Sequence, residues 1–155
     1  RKDSKNDSSI ISSSSGKIIM TTIEKLIEKL TSGIDYTFLT DFFLTYRKFL
    51  TPIKLCNLLI LRFDWALGGD DEERKIVRVR TFVIIRHWLL NYFAYDFIPC
   101  RALRTTLTKY LNSLPSHQLD STGIKESYKE VKENVLSKEC HGLREKKGDM
   151  FRKEQ

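Results

Sequence analysis

The sequence predicts an all-α fold, a single bundle of about five or six helices, from three observations. Apolar residues recur at the three- and four-residue spacing of a helix face, as in Ile23, Leu26, Ile27 and Leu30. Residues typical of helix caps precede these stretches, and glycine or proline follows several of them. No stretch alternates apolar and polar residues for long enough to indicate a strand. With 155 residues, of which 41% are hydrophobic, the chain can bury one core and has little room for a second domain.

The first two helices are predicted on either side of a break at Gly33. Thr21 and Glu24 have the spacing of a capping box at the start of the first helix. Asp35 is a typical N-cap residue for the second. The second helix carries a broad apolar and aromatic stripe made of Leu39, Phe42, Phe43, Tyr46 and Phe49. We therefore expect Tyr46 to lie in the core.

The third and fourth helices are predicted from a cap signal and a long apolar run. Thr51 followed by a proline is an N-cap with a first-turn proline, and two glycines end this helix near residue 67. The fourth helix is the longest and runs from about 73 to 97, where a proline stops it. Trp88 lies in the most apolar part of this helix, so we expect its side chain to be buried.

The last two predicted helices differ in the width of their apolar faces. The fifth spans about 103 to 114 and has a full apolar face. The sixth carries only a narrow stripe, made of Ile124, Tyr128, Val131 and Val135. Because this stripe is too narrow for deep burial, Tyr128 and Val131 are the first candidates for contact with a partner domain.

Composition divides the chain into three parts. Residues 1–17 are rich in serine and predicted to be disordered, since they cannot bury enough apolar surface to offset the entropy of ordering. Residues 18–142 form the predicted helical domain, and 143–155 form a charged tail. The chain has three widely spaced cysteines, which favours free thiols in a reducing compartment, and we expect a cytoplasmic location.

Several short motifs link this chain to a known family. They are Thr45-Tyr46-Arg47, Thr51-Pro52, Arg62-Phe63, Val77-Arg78-Val79-Arg80, Trp88-Leu89 and Asp96-Phe97. In order and spacing, over most of residues 20 to 114, the sequence resembles the N-terminal domain of Ras-family guanine-nucleotide exchange factors, the Ras exchanger motif. The resemblance implies a helical bundle that packs on a separate catalytic exchange domain of the same parent protein and supports its helical hairpin. It also implies a Ras-family GTPase as a further partner, because some members contribute to an allosteric Ras site.

A basic band runs through the second half of the predicted domain. Residues 74–109 contain eight basic residues and one acid, Asp96, so this segment alone carries a charge of +7. Such a band can attract an acidic protein or an anionic membrane. An alternative function is therefore that of a free-standing helical adaptor, which binds one of these partners through the band and contacts the membrane peripherally. A second interpretation is that several of these side chains pair with acids of the same fold, such as the cluster at 70–73. No nucleic-acid motif is present, so we expect no nucleic-acid partner.

Four further residues are candidates for partner binding. Arg80, His87 and Asn91 share a polar stripe along the predicted fourth helix. They could satisfy buried carbonyl groups between packed helices, or they could face a partner domain. Arg47 follows a residue of the apolar stripe and is expected to be more exposed, as an anchor of an interhelical ion pair or as a partner contact.

Enzyme chemistry finds no support in the sequence. None of the three histidines stands beside a nucleophile or carboxylate at a recognisable spacing. Cys140 and His141 are adjacent but lack a second pair of metal ligands, and Gly16-Lys17 lacks the glycine of a phosphate-binding loop, since that position is Ile11. We therefore predict no catalytic residue, no metal site, no cofactor and no enzymatic activity of its own.

Overall fold

Helices build most of the described chain, which confirms the predicted all-α class. The computed structural model describes residues 10–12, 18–33, 35–115, 126 and 129–137. The helices are α1 (Ile23–Ser32), α2 (Tyr36–Thr45), a 3-10 turn (Tyr46–Lys48), α3 (Pro52–Leu67), α4 (Glu72–Tyr92), a π-helix (Phe93–Phe97), α5 (Arg101–Ser113) and α6 (129–137). The predicted charged tail at 143–155 lies outside the described residues.

A short antiparallel ladder precedes the helices and departs from the sequence prediction. Strand β1 (Ile10–Ser12) pairs with β2 (Ile18–Thr21). Of the segment 1–17 that was predicted to be disordered, the structure describes only residues 10–12. Strands of three and four residues are too short to produce a recognisable alternation in the sequence.

The first helix begins one residue later than the predicted capping box requires. Thr21 still pairs with Ile10 in the ladder, so it cannot serve as the cap. Thr22 is the N-cap instead, and its side chain accepts a hydrogen bond of 3.3 Å from the backbone N–H of Lys25. The prediction of a Thr21 and Glu24 capping box is therefore wrong.

The other predicted caps are confirmed. Asp35 and Thr51 each accept a hydrogen bond from the backbone N–H three residues further on, at 3.0 and 3.4 Å. Asp71 caps α4 in the same way at 3.0 Å. Each satisfies one of the N–H groups that a helix start leaves without an intrahelical partner.

Aromatic side chains fill the centre of the bundle, where α4 packs against the other helices. Trp88 is 1% exposed and Tyr46 is 0% exposed, which confirms both burial predictions. The Trp88 ring meets Phe97 edge to face with centroids 4.8 Å apart, and Phe43 lies 6.0 Å from Trp88 on another side. Such ring pairs add specific geometry to the burial of large apolar surfaces.

The predicted long helix at 73–97 is one α-helix followed by a different element. The α-helix ends at Tyr92, and residues Phe93–Phe97 form a π-helix. A π-helix widens the turn and changes which residues face inward, and such turns are frequent at functional sites. Here the change coincides with the burial of Asp96, which is 2% exposed.

The sixth helix is buried more deeply than the sequence suggests. Val131 and Val135 are 0% and 1% exposed and belong to the core. Glu130 on the same helix pairs with Arg86 of α4 at 2.7 Å. The expectation that this stripe is too narrow for deep burial is therefore wrong, and the Val131 side chain is not accessible to a partner in this structure. Tyr128 lies outside the described residues.

Candidate functional site

A buried carboxylate joins three elements at the end of α4. The Asp96 Oδ2 atom accepts hydrogen bonds from Tyr46 Oη at 2.8 Å and from Trp88 Nε1 at 2.7 Å. The Oδ1 atom accepts from Arg47 Nε at 2.7 Å, and Arg47 Nη2 pairs with Oδ2. Four donors thus converge on one carboxylate. This Asp96 network fastens the π-helix to the 3-10 turn and to α4.

The protonation states in the Asp96 network oppose proton transfer near neutral pH. Burial raises the pKa of the Tyr46 phenol well above its usual value, and the hydrogen bond to Asp96 raises it further. The hydrogen bond to Asp96 also raises the pKa of Arg47. Both donors therefore keep their protons, and the arrangement supports a positioning role for the network rather than acid or base catalysis.

Arg47 is the member of this network that reaches the surface. Its side chain is 34% exposed, while its guanidinium lies 4.6 Å from the Tyr46 ring centroid and 5.3 Å from that of Tyr92. It also donates to the backbone carbonyl of Phe43 at 2.7 Å. The structure therefore makes Arg47 the anchor of an interhelical ion pair, one of the two roles expected from the sequence.

The outward side of α4 carries an apolar face that the described residues leave uncovered. Its exposed members are Ile76, Val79 and Leu90, at 42%, 43% and 44% exposure, and the half-buried Val83 lies between them. Their spacings of three, seven and fourteen residues from Ile76 place them along one side of the helix. We call this set the α4 ridge.

Two of the sequence-predicted site residues flank the α4 ridge with buried polar atoms that lack hydrogen-bond partners in the described chain. Arg80 lines a groove with Val83 and with Asp35 and Tyr36 at the start of α2. Its Nη1 atom is buried and finds no hydrogen-bond partner within the described chain. The His87 Nε2 atom is also buried and has no hydrogen-bond partner among the described residues. A buried polar group without a partner costs stability.

His87 and Asn91 interact with each other across one helical turn. The Asn91 side-chain amide donates to the His87 carbonyl at 2.9 Å and lies 3.2 Å from His87 Nδ1. The imidazole ring packs 5.4 Å from the Phe43 ring, and burial lowers the pKa of His87. The predicted stripe of Arg80, His87 and Asn91 thus exists, and Asn91 uses its amide within its own helix.

Much of the basic band is paired inside the domain. Arg78 is 4% exposed and bonds Asp70 at 2.9 Å and the Gly69 carbonyl at 3.0 Å. Further ion pairs in the band are Arg74 with Asp71 at 3.3 Å, Lys75 with Glu72 at 2.9 Å and Arg86 with Glu130 at 2.7 Å. The interpretation that basic side chains of the band pair with acids of the same fold is therefore supported for four residues, Arg74, Lys75, Arg78 and Arg86.

Two groups were not singled out as functional from the sequence. Asp96 had one available signal, since it is the only acid between residues 74 and 109. The second group is Trp65, which is 39% exposed between the guanidinium groups of Arg62 and Arg74, at 4.3 and 4.8 Å. No local pattern predicts this stacking, because the two arginines come from different helices.

The described residues contain neither a membrane-spanning helix nor a cluster of metal ligands. None of its helices combines the length and the apolar character that crossing a bilayer requires. The same residues hold no group of three or more His, Cys, Asp or Glu side chains placed to bind a metal ion.

The chain is similar to known exchange factors. The RasGEF N-terminal motif matches residues 17–111. Guanine nucleotide exchange factor LTE1 of Kluyveromyces lactis is 38% identical over 107 residues, which cover 62% of this chain and 8% of that protein. LTE1 of Saccharomyces cerevisiae is 45% identical over 89 residues, or 52% of this chain and 6% of the relative. Ras guanine nucleotide exchange factor A of Dictyostelium discoideum is 31% identical over 98 residues, or 61% of this chain and 16% of the relative.

These matches show which part of an exchange factor this chain resembles. It spans less than a fifth of the length of each of these relatives. The matched motif is the N-terminal one, and the catalytic exchange domain is not within these 155 residues. The motif covers more than half of the chain, including the Asp96 network and the α4 ridge. This chain therefore belongs to the RasGEF N-terminal motif family.

Proposed function

We propose that this chain is a non-catalytic regulatory domain of a Ras-type exchange factor, which packs on a separate catalytic exchange domain and stabilises it in small-GTPase signalling. Membership of the RasGEF N-terminal motif family supports the signalling context. The relatives that are named as Ras guanine nucleotide exchange factors support it further. The proposed location is the cytoplasm, at the periphery of a membrane.

The observation that carries this proposal is the α4 ridge. Three apolar side chains are between 42% and 44% exposed on one side of the central helix, and polar atoms of Arg80 and His87 that lack partners in the described chain lie beside them. A partner that covers this surface would remove apolar area from water. The α4 ridge replaces the face of α6 as the proposed interface, because Val131 is buried.

The Asp96 network suits this role because it connects the C-terminal end of α4 to the neighbouring elements. Asp96 ties the C-terminal end of α4 to the 3-10 turn, so the α4 ridge belongs to an element that is held at both its cap and its end. A domain regulates a neighbour only if it contacts one state of that neighbour better than another. A difference of about 1.4 kcal/mol in contact free energy changes the equilibrium tenfold.

The test combines this chain with the catalytic exchange domain of its parent protein and a fluorescent nucleotide on a Ras-family GTPase. The chain alone should not accelerate nucleotide release. Added to the catalytic domain, it should bind and increase the release rate. The substitutions Val79→Asp and Leu90→Asp together should weaken that binding at least tenfold. The matched control is Leu61→Asp on α3, which is 63% exposed and lies outside the ridge.

Three results would contradict the proposal. Acceleration by the chain alone would make it an exchange catalyst. Equal weakening by the Leu61 control would mean that the α4 ridge is not the interface. Absence of any binding to the catalytic domain would favour the adaptor alternative. Binding of the GTPase itself to the α4 ridge would assign that surface to the second expected partner.

A further inference from the structure

One end of the bundle gathers four chain segments. Arg47 Nε and Asp96 Oδ1, 2.7 Å apart, join the 3-10 turn to the π-helix. Arg104 Nη1 donates to the carbonyls of Phe97 and Ile98 at 2.6 and 2.7 Å, which joins the start of α5 to the π-helix. The start of α3 at Pro52 follows the 3-10 turn after three intervening residues. We call this assembly the turn end.

Helices α3 and α5 both run away from the turn end. Near their C-terminal ends, Tyr110 Oη donates to Asp64 Oδ1 at 2.5 Å, and the Phe63 and Tyr110 rings lie 6.4 Å apart. Two helices whose later residues meet in this way, and whose starts share one set of turns, are parallel. First-turn residues of α3 and α5 therefore lie at the turn end.

The turn end exposes basic and aromatic side chains together. Lys48 of the 3-10 turn, Lys54 in the first turn of α3 and Arg101 at the start of α5 are all exposed. The aromatic residues there are Tyr95, which is 77% exposed, and Phe49, which is 47% exposed. Phe49 rests partly on the core, whereas Tyr95 projects from the π-helix.

Acids are placed away from these bases. In residues 42–63 and 93–113 the only acid is Asp96, which is buried and neutralised by Arg47. The exposed acids nearest to these segments in sequence are Asp41 of α2, directly before the first segment, and Asp64, directly after it and near the C-terminal end of α3. The acidic cluster at 70–73 precedes α4, whose other end leads into the π-helix, so it lies at the opposite end of the bundle. The turn end thus carries bases whose own segments hold no exposed acid, whereas three of the four acids at the far end pair with Arg74, Lys75 and Arg78.

We propose that the turn end binds the surface of an anionic lipid bilayer. Lysine and arginine side chains are drawn to the negative surface potential of acidic lipids. Aromatic side chains with a polar tip suit the boundary between water and lipid, since the ring enters the interface while the hydroxyl stays hydrated. The structure places three exposed bases and the exposed Tyr95 ring at one end, beside the apolar Phe49 ring, so the electrostatic and the interfacial contribution act in the same direction. This inference does not depend on a catalytic partner domain.

The experiment measures binding of the chain to vesicles of phosphatidylcholine with phosphatidylserine, and to vesicles of phosphatidylcholine alone. The chain should bind the mixed vesicles, and added salt should weaken the binding. Lys48→Gln and Arg101→Gln together should lower the affinity about twenty-fivefold, at about fivefold for each basic side chain removed. Tyr95→Ser should also lower the affinity but leave the salt dependence unchanged.

The matched control is Lys75→Gln with Lys109→Gln, which changes the net charge equally. Lys75 is in the first turn of α4, and Lys109 neighbours Tyr110 near the end of α5, so both lie away from the turn end. This control should keep the parent affinity within about twofold, and circular dichroism should show both variants folded. If the test pair and the control pair of substitutions weakened vesicle binding equally, net charge alone would explain the effect, and the proposal would be overturned. Failure of the parent chain to bind the mixed vesicles, or equal binding to phosphatidylcholine alone, would also overturn it.

Discussion

Replacing Asp96 by alanine should remove the acceptor for four donor groups at once. Tyr46 Oη and Trp88 Nε1 belong to side chains that are 0% and 1% exposed, so neither can find water without opening the core. Each buried donor left without a partner costs about 1 to 3 kcal/mol. Arg47 is one third exposed and can be rehydrated, so we assign it only a small additional cost. The expected loss is therefore about 3 to 5 kcal/mol, near the range for breaking a buried ion pair.

Urea denaturation, followed by circular dichroism, measures this loss as a difference in the free energy of unfolding. A double-mutant cycle with Tyr46→Phe isolates the hydrogen bond from the general effect of the alanine. In the native background, Tyr46→Phe should cost about 1 kcal/mol. In the Asp96→Ala background it should cost less or even stabilise, because it removes a donor that already lacks its acceptor.

Two results would refute this reasoning. A loss below about 1 kcal/mol for Asp96→Ala would mean that the buried donors find other partners or water. Additive effects of the two substitutions would mean that Tyr46 and Asp96 do not stabilise each other. Asp96→Asn is a milder variant that retains one carbonyl acceptor, so it keeps the test informative if the alanine variant fails to fold.

Three further predictions concern single side chains. Trp88→Ala should cost about 3 to 5 kcal/mol of unfolding free energy, because the ring is 1% exposed, and an almost unchanged melting temperature would contradict its central placement. Because burial lowers the pKa of His87, the unfolded chain binds its proton more readily, and stability should fall as the pH drops from about 6.5 through the folded pKa. His87→Gln should remove this part of the pH dependence in denaturation experiments, and an unchanged profile would exclude His87 as its source. Burial raises the pKa of the Cys56 thiol to about 12, so alkylation of the native chain near pH 8 should modify the half-buried Cys100 before Cys56, as peptide mass spectrometry can test. Faster labelling of Cys56 would show that the core opens readily.

Much of the helical framework follows from local rules. The caps at Asp35 and Thr51 depend on a side chain and a backbone N–H only three residues apart, so the sequence reveals them directly. The burial of Trp88 follows from its apolar neighbours along one helix. The family resemblance also came from local motifs, and it agrees with the matched RasGEF N-terminal motif.

The candidate sites required the folded chain. Asp96 receives its hydrogen bonds from Tyr46 and Arg47, which lie 50 and 49 residues earlier. No local spacing encodes such a pairing, and it also depends on the π-helix that turns Asp96 inward. The same limit explains Val131, whose burial is decided by helices that pack over it and not by the width of its own stripe.

The sequence by itself thus determined the helix class, most of the helix starts, the central tryptophan and the family. The tertiary structure alone decided which bases are neutralised, which apolar side of α4 the described residues leave uncovered, and which side chains share the turn end. The physical reason is the distance along the chain over which each interaction acts. Helix propensity and capping act within about four residues. Burial, ion pairing and surface charge depend on distances through space between segments that the sequence separates.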